Sequence, residues 1–266
     1  MKFIFLILLT VLCTPSPSQE LKSKKIYSRF YIETFQIDKT SKQRNGNYLM
    51  TKVESHDKLV SGKYKNNAKI GVWKYYSKQN KLWMSYDFDK KLLVQIPEEI
   101  SKVDTFMINK NGVFLYGKVD SPPVYLGFER EVENRIINNF RLSANQCESG
   151  FSGIGMASFI VDKNGRMTGY LTKQAPDKDM KINMLRAFNT ITGEWLPARV
   201  NGQAVDSKIL LIFEVTPPGV PNTFESSPNI LVMHITYFGI KRTQVVQQRV
   251  IRPDGSQIGS HPRWQW

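Results

Sequence analysis

Three glutamates at alternate positions, Glu129, Glu131 and Glu133, come nearest in this sequence to a spacing that could perform acid–base chemistry. General acid–base catalysis uses positioned carboxyl groups of this kind. However, no histidine, metal-ligand set or nucleophile accompanies them. They also open a helical pattern, where negative side chains complement the positive end of the helix dipole. The pattern therefore favours helix capping over catalysis.

The histidines and the candidate nucleophile Cys147 are equally isolated. His56, His234 and His261 lie far apart, and none has the spacing of a metal ligand with a Cys or a carboxylate. Cys147 sits in a loop-like stretch without a nearby histidine, which is typical of an inert thiol. The sequence contains no nucleophile elbow, P-loop or Gly-rich dinucleotide turn. We expect a non-enzymatic protein without catalytic residues, cofactor or metal; a hydrolase in the C-terminal extension would require distant polar residues to converge.

The elements that would position any site lie between Ser152 and Val215. Two strand patterns meet at Asn164-Gly165, a pair typical of a tight hairpin turn. A helical window follows over residues 179–191, and Trp195 with Pro197 is expected to close it. The predicted apolar face of this helix contains Ile182, Met184, Leu185, Ala187, Phe188 and Ile191. A second turn, Asn201-Gly202, leads into a predicted strand over residues 204–215.

This stretch resembles the C-terminal domain of TonB-type energy transducers, in which a hairpin, a helix, a Trp-x-Pro pair and a last strand follow in this order. The matching residues are Ala157, Phe159, Val161, Gly165, Trp195, Pro197, Gly202, Val205, Leu211 and Phe213. Upstream, Tyr125 and Gly127 fit the family pattern, whereas Leu126 and Phe128 depart from it. A predicted helix over residues 129–140 then presents Val132, Ile136, Ile137 and Phe140 on one face. The resemblance implies an α+β domain over residues 122–216, with two helices on a three-stranded antiparallel sheet.

Residues 19–95 alternate aromatic residues with lysines at the period of a strand, and Gly or Asn marks each turn. Their core is similar to a MORN-type repeat at Gly62, Tyr64, Asn66, Gly71, Trp73, Tyr75 and Tyr76. The pattern predicts a small antiparallel β-meander. Such a meander cannot bury one of its faces alone, so we expect it to pack on a neighbour.

The net charge of +14 is concentrated in this meander. Residues 20–95 hold 17 Lys or Arg against 7 Asp or Glu, whereas residues 122–216 hold 11 against 10. The excess could bind anionic partners such as lipid head groups. Lysines spread singly along strands also favour a solvated face that protects sheet edges from aggregation. The predicted export of the chain argues against nucleic acid.

Residues 1–18 have the composition of a secretion signal, with Lys2 before an apolar run over residues 3–12. Small residues at Ser16 and Ser18 predict cleavage before Gln19. Lipidation at Cys13 is the alternative, although Leu12 precedes it where that processing requires a small residue. Both alternatives predict an exported protein of the periplasm or the outer membrane.

The remaining segments are a connector and a C-terminal extension. Residues 96–121 are expected to form a connector that contains a β-hairpin with its turn at residues 109–112. Residues 217–266 are expected to begin with a Pro-rich linker, to form strands over residues 230–238 and 244–251, and to end in an aromatic tail.

The resemblance implies a docking function. Members of the TonB family bind an extended peptide of outer-membrane transporters along a sheet edge, so that backbone groups supply the affinity. The edge strand and partner site expected here comprise Ser207, Lys208, Ile209, Leu210, Leu211, Ile212, Phe213, Glu214 and Val215. The strands after residue 229 could instead cover this edge. The alternative function is adhesion of the basic meander to anionic envelope or cell-wall material.

Overall fold

In the computed structural model, which describes residues 20–227 and 230–236, the alternating N-terminal pattern forms a seven-stranded antiparallel sheet. Each strand pairs with its neighbour in sequence, so the predicted N-terminal meander is confirmed. Its strands are β1 (Leu21–Tyr27), β2 (Tyr31–Asp38), β3 (Arg44–Lys52), β4 (Lys58–Lys65), β5 (Ala68–Tyr76), β6 (Leu82–Asp87) and β7 (Leu92–Gln95).

Six aromatic residues of the meander lie in its buried core: Phe35, Tyr48, Tyr64, Trp73, Tyr75 and Tyr86. The indole of Trp73 is buried, and its ring centre lies 5.2 Å from that of Tyr48 and 5.0 Å from that of Tyr64. This packing requires Gly62 on the neighbouring strand, because a Cβ there would lie 2.3 Å from the Trp73 ring. Burial of a large apolar side chain contributes roughly 1.5–3 kcal/mol relative to exposure. The Gly and Trp of the repeat-like core therefore act as one packing unit.

The second sheet has six strands in the order β12-β11-β16-β8-β9, and β17 pairs in parallel with β16. Two small ribbons, β10 with β13 and β14 with β15, complete the strands. The bounds are β8 (Thr105–Lys110), β9 (Val113–Lys118), β10 (Val124–Tyr125), β11 (Gly153–Val161), β12 (Met167–Gln174), β13 (Trp195–Leu196), β14 (Ala198–Val200), β15 (Gln203–Val205), β16 (Ser207–Thr216) and β17 (Ile230–Thr236).

Four helices accompany the sheets within the described residues: α1 (Glu98–Ser101), α2 (Glu131–Asn139), α3 (Ala144–Glu148) and α4 (Lys178–Phe188). The predicted α+β class is confirmed at this level. The longer helices, α2 and α4, pack over the second sheet through a core that includes Ile136, Met184 and Phe213. No described helix has the length and apolar composition needed to cross a bilayer.

The helix α4 confirms the predicted helical window but not its predicted face. Asp177 caps it by accepting a hydrogen bond from the N–H of Met180 at 2.6 Å. Met180 and Met184 are buried, whereas Ile182 and Leu185 are 44% and 45% exposed. The predicted apolar face wrongly included Ile182 and Leu185, because the sheet covers the side of the helix that carries Met180.

Local structure also differs from the prediction around the last strands. The predicted strand over residues 204–215 is interrupted at Asp206, whose carboxylate accepts the N–H of Lys163 at 2.8 Å. Trp195 does not close α4 but belongs to β13. The predicted connector supplies β8 and β9 to the second sheet, since Ile108 pairs with Ser207. The signal segment, the strand predicted over residues 244–251 and the aromatic tail lie outside the described residues.

Candidate functional site

A short ribbon, β10 with β13, lies between the cores of the two sheets. Val124, Leu126 and Phe128 alternate toward the meander, and all three belong to its buried core. Tyr125 and Trp195 face the other way and pack in the core of the second sheet. The meander therefore packs on a neighbour, as predicted. Leu126 and Phe128, which depart from the TonB-like pattern, are among the residues that pack the ribbon against the meander.

Trp195 is the centre of the residues that carry that resemblance. Its ring centre lies 5.6 Å from that of Phe159 and 5.2 Å from that of Tyr125. Its carbonyl oxygen lies directly against the hairpin turn at Gly165, where a Cβ would approach that oxygen to 2.1 Å. Gly165 also has a φ of +74°, which favours glycine. The spacing found in the sequence thus has a packing reason.

Glu131 and Arg135 form a buried polar network beside this ribbon. Arg135 Nη2 lies 2.6 Å from Glu131 Oε1, and the Tyr125 hydroxyl donates to the Thr192 carbonyl at 2.6 Å. Burial raises the pKa of Glu131, while Arg135, the Phe128 N–H and the Tyr125 hydroxyl oppose that rise. Burial likewise raises the pKa of Tyr125. The helix-capping interpretation is thus incomplete for Glu131, because its principal partner is a guanidinium one turn further along α2.

A cavity of about 590 Å³ opens at the N-terminal end of α2. It reaches from the meander, at Trp83, to β16 and β17, at Ile209 and His234. Five glutamates line it, against one arginine and this histidine: Glu99, Glu129, Glu131, Glu133 and Glu225. Since Arg135 neutralises Glu131, the acidity of the cavity comes from the other four. The spacing in the sequence indicated only three of these five glutamates, Glu129, Glu131 and Glu133.

The predicted edge strand, Ser207–Val215, is not an edge. Over its whole length β16 pairs with β11 on one side. On the other side β8 pairs with it at Ser207, and β17 pairs with it from Leu210 to Thr216. The prediction of an open edge here is therefore wrong, and the alternative that strands after residue 229 cover it is correct for β17. Only Lys208 and Ile209 lie between the two partner strands.

Buried contacts hold β17 against β16. Met233 is buried in the core, and His234 Nδ1 lies 3.0 Å from Glu214 Oε2. Glu214 also accepts the N–H of Thr223 at 2.7 Å and that of Phe224 at 3.4 Å. Burial opposes its ionisation, but these donors and His234 outweigh burial and lower the pKa of Glu214. A partner could use this side of β16 only after these contacts break.

The edge strand β9 of the second sheet exposes several large apolar side chains. Val113, Leu115 and Tyr116 are each more than half exposed. The pairing of β9 with β8 continues without a bulge from Val113 to Lys118. Lys208, on β16, lies with its Nζ 4.1 Å from the ring centre of Phe114. This edge is regular, apolar and flanked by cations, and no sequence pattern predicted it.

The other residues that could perform chemistry, His56, His234 and Cys147, do not form a common site in the described part of the chain. Among the residues that the structure describes, no group of three or more His, Cys, Asp or Glu side chains could hold a metal ion. His56 is exposed, with a left-handed φ of 58°, and His234 pairs with Glu214. Cys147 is half-buried in α3, a short helix where the sequence suggested a loop. His261 lies outside the described residues.

Comparison with known proteins adds no relative. No family model, no curated protein and no solved structure matches this chain. The similarity to TonB-type domains and to MORN repeats therefore depends only on the residues quoted above. Any functional conclusion has to come from the geometry of the chain itself.

Proposed function

We propose that this is an exported, non-enzymatic docking protein of the cell envelope, which binds an extended segment of an envelope or outer-membrane transport protein by strand addition. The exposed apolar edge at β9 carries this proposal. Backbone groups on an edge strand bind an added strand, and side-chain contacts select it. The site differs from the one expected from the sequence, because β17 covers β16.

Three other edge strands, β1, β7 and β12, carry features that discourage strand pairing. The outer strand of the meander, β1, carries Lys22, Lys24 and Lys25 among seven residues, and β7 has only four residues. The register of β12 shifts twice along β11. Natural proteins use lysines, short strands and bulges to prevent unwanted strand pairing. The pairing of β9 with β8 has no bulge, and its one lysine, Lys118, stands at the end of the strand, so the rest of this edge fits a strand that is meant to be paired.

The charges near β9 indicate the composition of the partner. Lys118 belongs to β9, Lys110 pairs with Val113 across the hairpin, and Lys208 lies against Phe114. Burial and the nearby Lys173 lower the pKa of Lys208, so an added negative charge would be favourable there. The partner segment is therefore extended, apolar on one face and acidic at its ends.

Cross-linking and pull-down from envelope extract, with the chain starting at Gln19 as bait, tests this function. Leu115→Lys places a charge on the β9 edge, whereas Leu171→Lys places the same charge on β12 at nearly the same exposure, 52% against 51%. We expect Leu115→Lys to lose the captured transport or envelope protein and Leu171→Lys to retain it. Equal capture by both variants would reject β9 as the site. No captured protein with the unaltered chain would reject docking.

Adhesion through the meander is the second candidate, favoured by the exposure of every residue of β1. Its three lysines would bind an anionic surface through charge alone, so binding should weaken steeply as salt is added. Strand addition should change little under the same conditions. Co-sedimentation with anionic lipid vesicles, for the unaltered chain and for a triple Lys→Gln variant at residues 22, 24 and 25, separates the two functions.

A further inference from the structure

The hairpin of β1 and β2 presents large apolar side chains to solvent at one end of the meander. Tyr27 is 69% exposed, Ile26 is 41% exposed and Phe30 is 36% exposed. Single apolar side chains on a surface are ordinary, but three at the tip of one hairpin form a patch, and such patches mark interaction sites. We propose that this hairpin tip, residues 26–30, inserts into the interface of a lipid bilayer that contains anionic lipids.

Hydrogen bonds fix the shape of the hairpin tip before any contact with lipid. The N–H and the hydroxyl of Ser28 both donate to the Tyr31 carbonyl oxygen at 2.9 Å. The hydroxyl oxygen of Ser28 accepts the Tyr31 N–H, also at 2.9 Å. The Phe30 carbonyl oxygen accepts the N–H of Val53 at 3.0 Å, which ties the tip to the turn after β3. Because this backbone is already ordered, insertion does not carry the entropic cost of ordering it.

Cations flank the apolar patch and indicate the charge of the surface that it meets. Residues 21–30 hold four Lys or Arg and no Asp or Glu: Lys22, Lys24, Lys25 and Arg29. None of these four forms an ion pair with another described residue. The guanidinium carbon of Arg29 lies 5.2 Å from the ring centre of Phe30, so charge and apolar surface occur side by side. Cations in this position are attracted by the negative potential of anionic lipids.

The acidic residues near the hairpin tip do not cancel this charge. Glu33, on β2, accepts the Tyr48 hydroxyl at 3.2 Å and lies 3.8 Å from Arg44. Two other turns lie at the same end of the meander, because its successive strands are antiparallel. Residues 53–57 carry two acids and residues 77–81 carry two lysines, so these turns together add no net charge. The end of the meander therefore keeps the positive charge of the tip.

A bilayer interface matches both properties of the hairpin tip. Tyrosine is enriched at membrane–water interfaces, because its ring contacts the acyl chains while its hydroxyl reaches water. Lysine and arginine keep their charges among the head groups while their aliphatic stems lie along apolar surface. This inference goes beyond both functions proposed above. Docking at β9 uses the other sheet, and adhesion through the lysines of β1 depends on charge alone, so either can stand where insertion fails.

The test is co-sedimentation of the chain starting at Gln19 with vesicles of phosphatidylcholine and phosphatidylglycerol. Tyr27→Ser combined with Phe30→Ala should weaken binding by about tenfold or more, because two large apolar side chains no longer enter the interface. In high salt this difference should persist, since salt screens charges but not apolar contacts. Tyr116→Ser removes a tyrosine of β9 that is 53% exposed, and it should leave binding unchanged. Vesicles of phosphatidylcholine alone should bind the unaltered chain more weakly.

A second measurement reports on insertion itself. Tyr27→Trp places an indole at the hairpin tip, and lipids brominated on their acyl chains should quench its fluorescence beyond the quenching seen with the unaltered chain. Tyr116→Trp should show no such gain. Undiminished vesicle binding by the double variant, or no added quenching in Tyr27→Trp, would overturn insertion even if the lysines of β1 still adhere. Equal binding of phosphatidylcholine vesicles would overturn the preference for anionic lipid, and no vesicle binding would overturn the proposal as a whole.

Discussion

The guanidinium of Arg135 lies 2.6 Å from the carboxylate of Glu131, one turn apart on α2 and beside the ribbon that joins the two cores. Glu131 is 6% exposed, so its carboxylate has lost most of its contact with water. It is stabilised instead by this one cation, the Phe128 N–H and the Tyr125 hydroxyl. Removal of one member of a buried pair is costly, because the remaining charge has no solvent to replace it. This pair is therefore needed for the stability of the joint between the sheets.

Replacement of Arg135 by methionine should destabilise the fold by about 3–5 kcal/mol at neutral pH, as the loss of one buried partner typically does. The cost should shrink toward acidic pH, because protonation of Glu131 removes the unpaired charge. Urea unfolding measures both effects. Lys102→Met is the matched control, since Lys102 and Glu98 form an exposed pair with the same spacing on α1 and should cost no more than about 0.5 kcal/mol. Equal losses for both variants would contradict the buried role of Arg135.

Gly165→Ala should be markedly more destabilising than Gly202→Ala. Both glycines have a φ of +74°, so each substitution carries the same left-handed backbone cost of about 1–2 kcal/mol. Only at Gly165 would the new Cβ also meet the Trp195 carbonyl oxygen, whereas nothing lies within 4 Å of it at Gly202. The difference between the two unfolding free energies measures the steric contact between the hairpin turn and β13. If the two variants lost the same stability, the turn would not pack on Trp195.

The sequence predicted well those features that depend on neighbouring residues. The Asn164-Gly165 turn, the helix before Phe188 and the alternation of the meander are local signals, because turn chemistry and apolar period act within a few residues. The exposed Leu185 shows the limit of this approach. A helical period fixes which residues share a face, but the direction of that face depends on the sheet beneath it.

The position of β16 could not be deduced from alternation alone. Odd-numbered residues from Ile209 to Val215 lie in the same buried core as residues of α2 and α4, which is compatible with an edge or an interior strand. Leu210 and Ile212 make the strand a nearly continuous apolar run, which is typical of strands covered on both faces. Coverage of the two faces does not determine whether both edges of the strand are paired. The cavity was hidden for another reason: Glu99, Glu133 and Glu225 are distant in sequence, and only the tertiary fold gathers them.

Phe128→Ala should destabilise the meander and the second sheet together. Phe128 is buried, and its ring centre lies 5.6 Å from that of Tyr31 on β2, so truncation opens a cavity at the joint. Phe→Ala changes at such sites cost about 3–5 kcal/mol. Unfolding followed by tryptophan fluorescence and by far-UV circular dichroism should shift by the same amount. Phe30→Ala, at an exposed position next to Tyr31, is the control and should change the unfolding free energy from either probe by no more than about 1 kcal/mol. If Phe128→Ala shifted only the fluorescence transition, the two parts would unfold separately.

Two buried glutamates should give the fold opposite dependences on pH. Burial raises the pKa of Glu133 above the ordinary value of 4.5, so the folded state binds this proton more tightly than the unfolded chain. Its contribution is therefore complete below that value and is lost as the pH rises through the raised pKa. The pKa of Glu214 is lowered, so its contribution is present above 4.5 and is lost as the pH falls through the lowered pKa. The measurement is the free energy of unfolding in urea at a series of acidic pH values. The stability that the unaltered chain loses through Glu133 as the pH rises should be absent in Glu133→Gln. The stability that it loses through Glu214 as the pH falls should be absent in Glu214→Gln. Parallel curves for the two variants would mean that the environments of these carboxylates do not differ as their partners indicate.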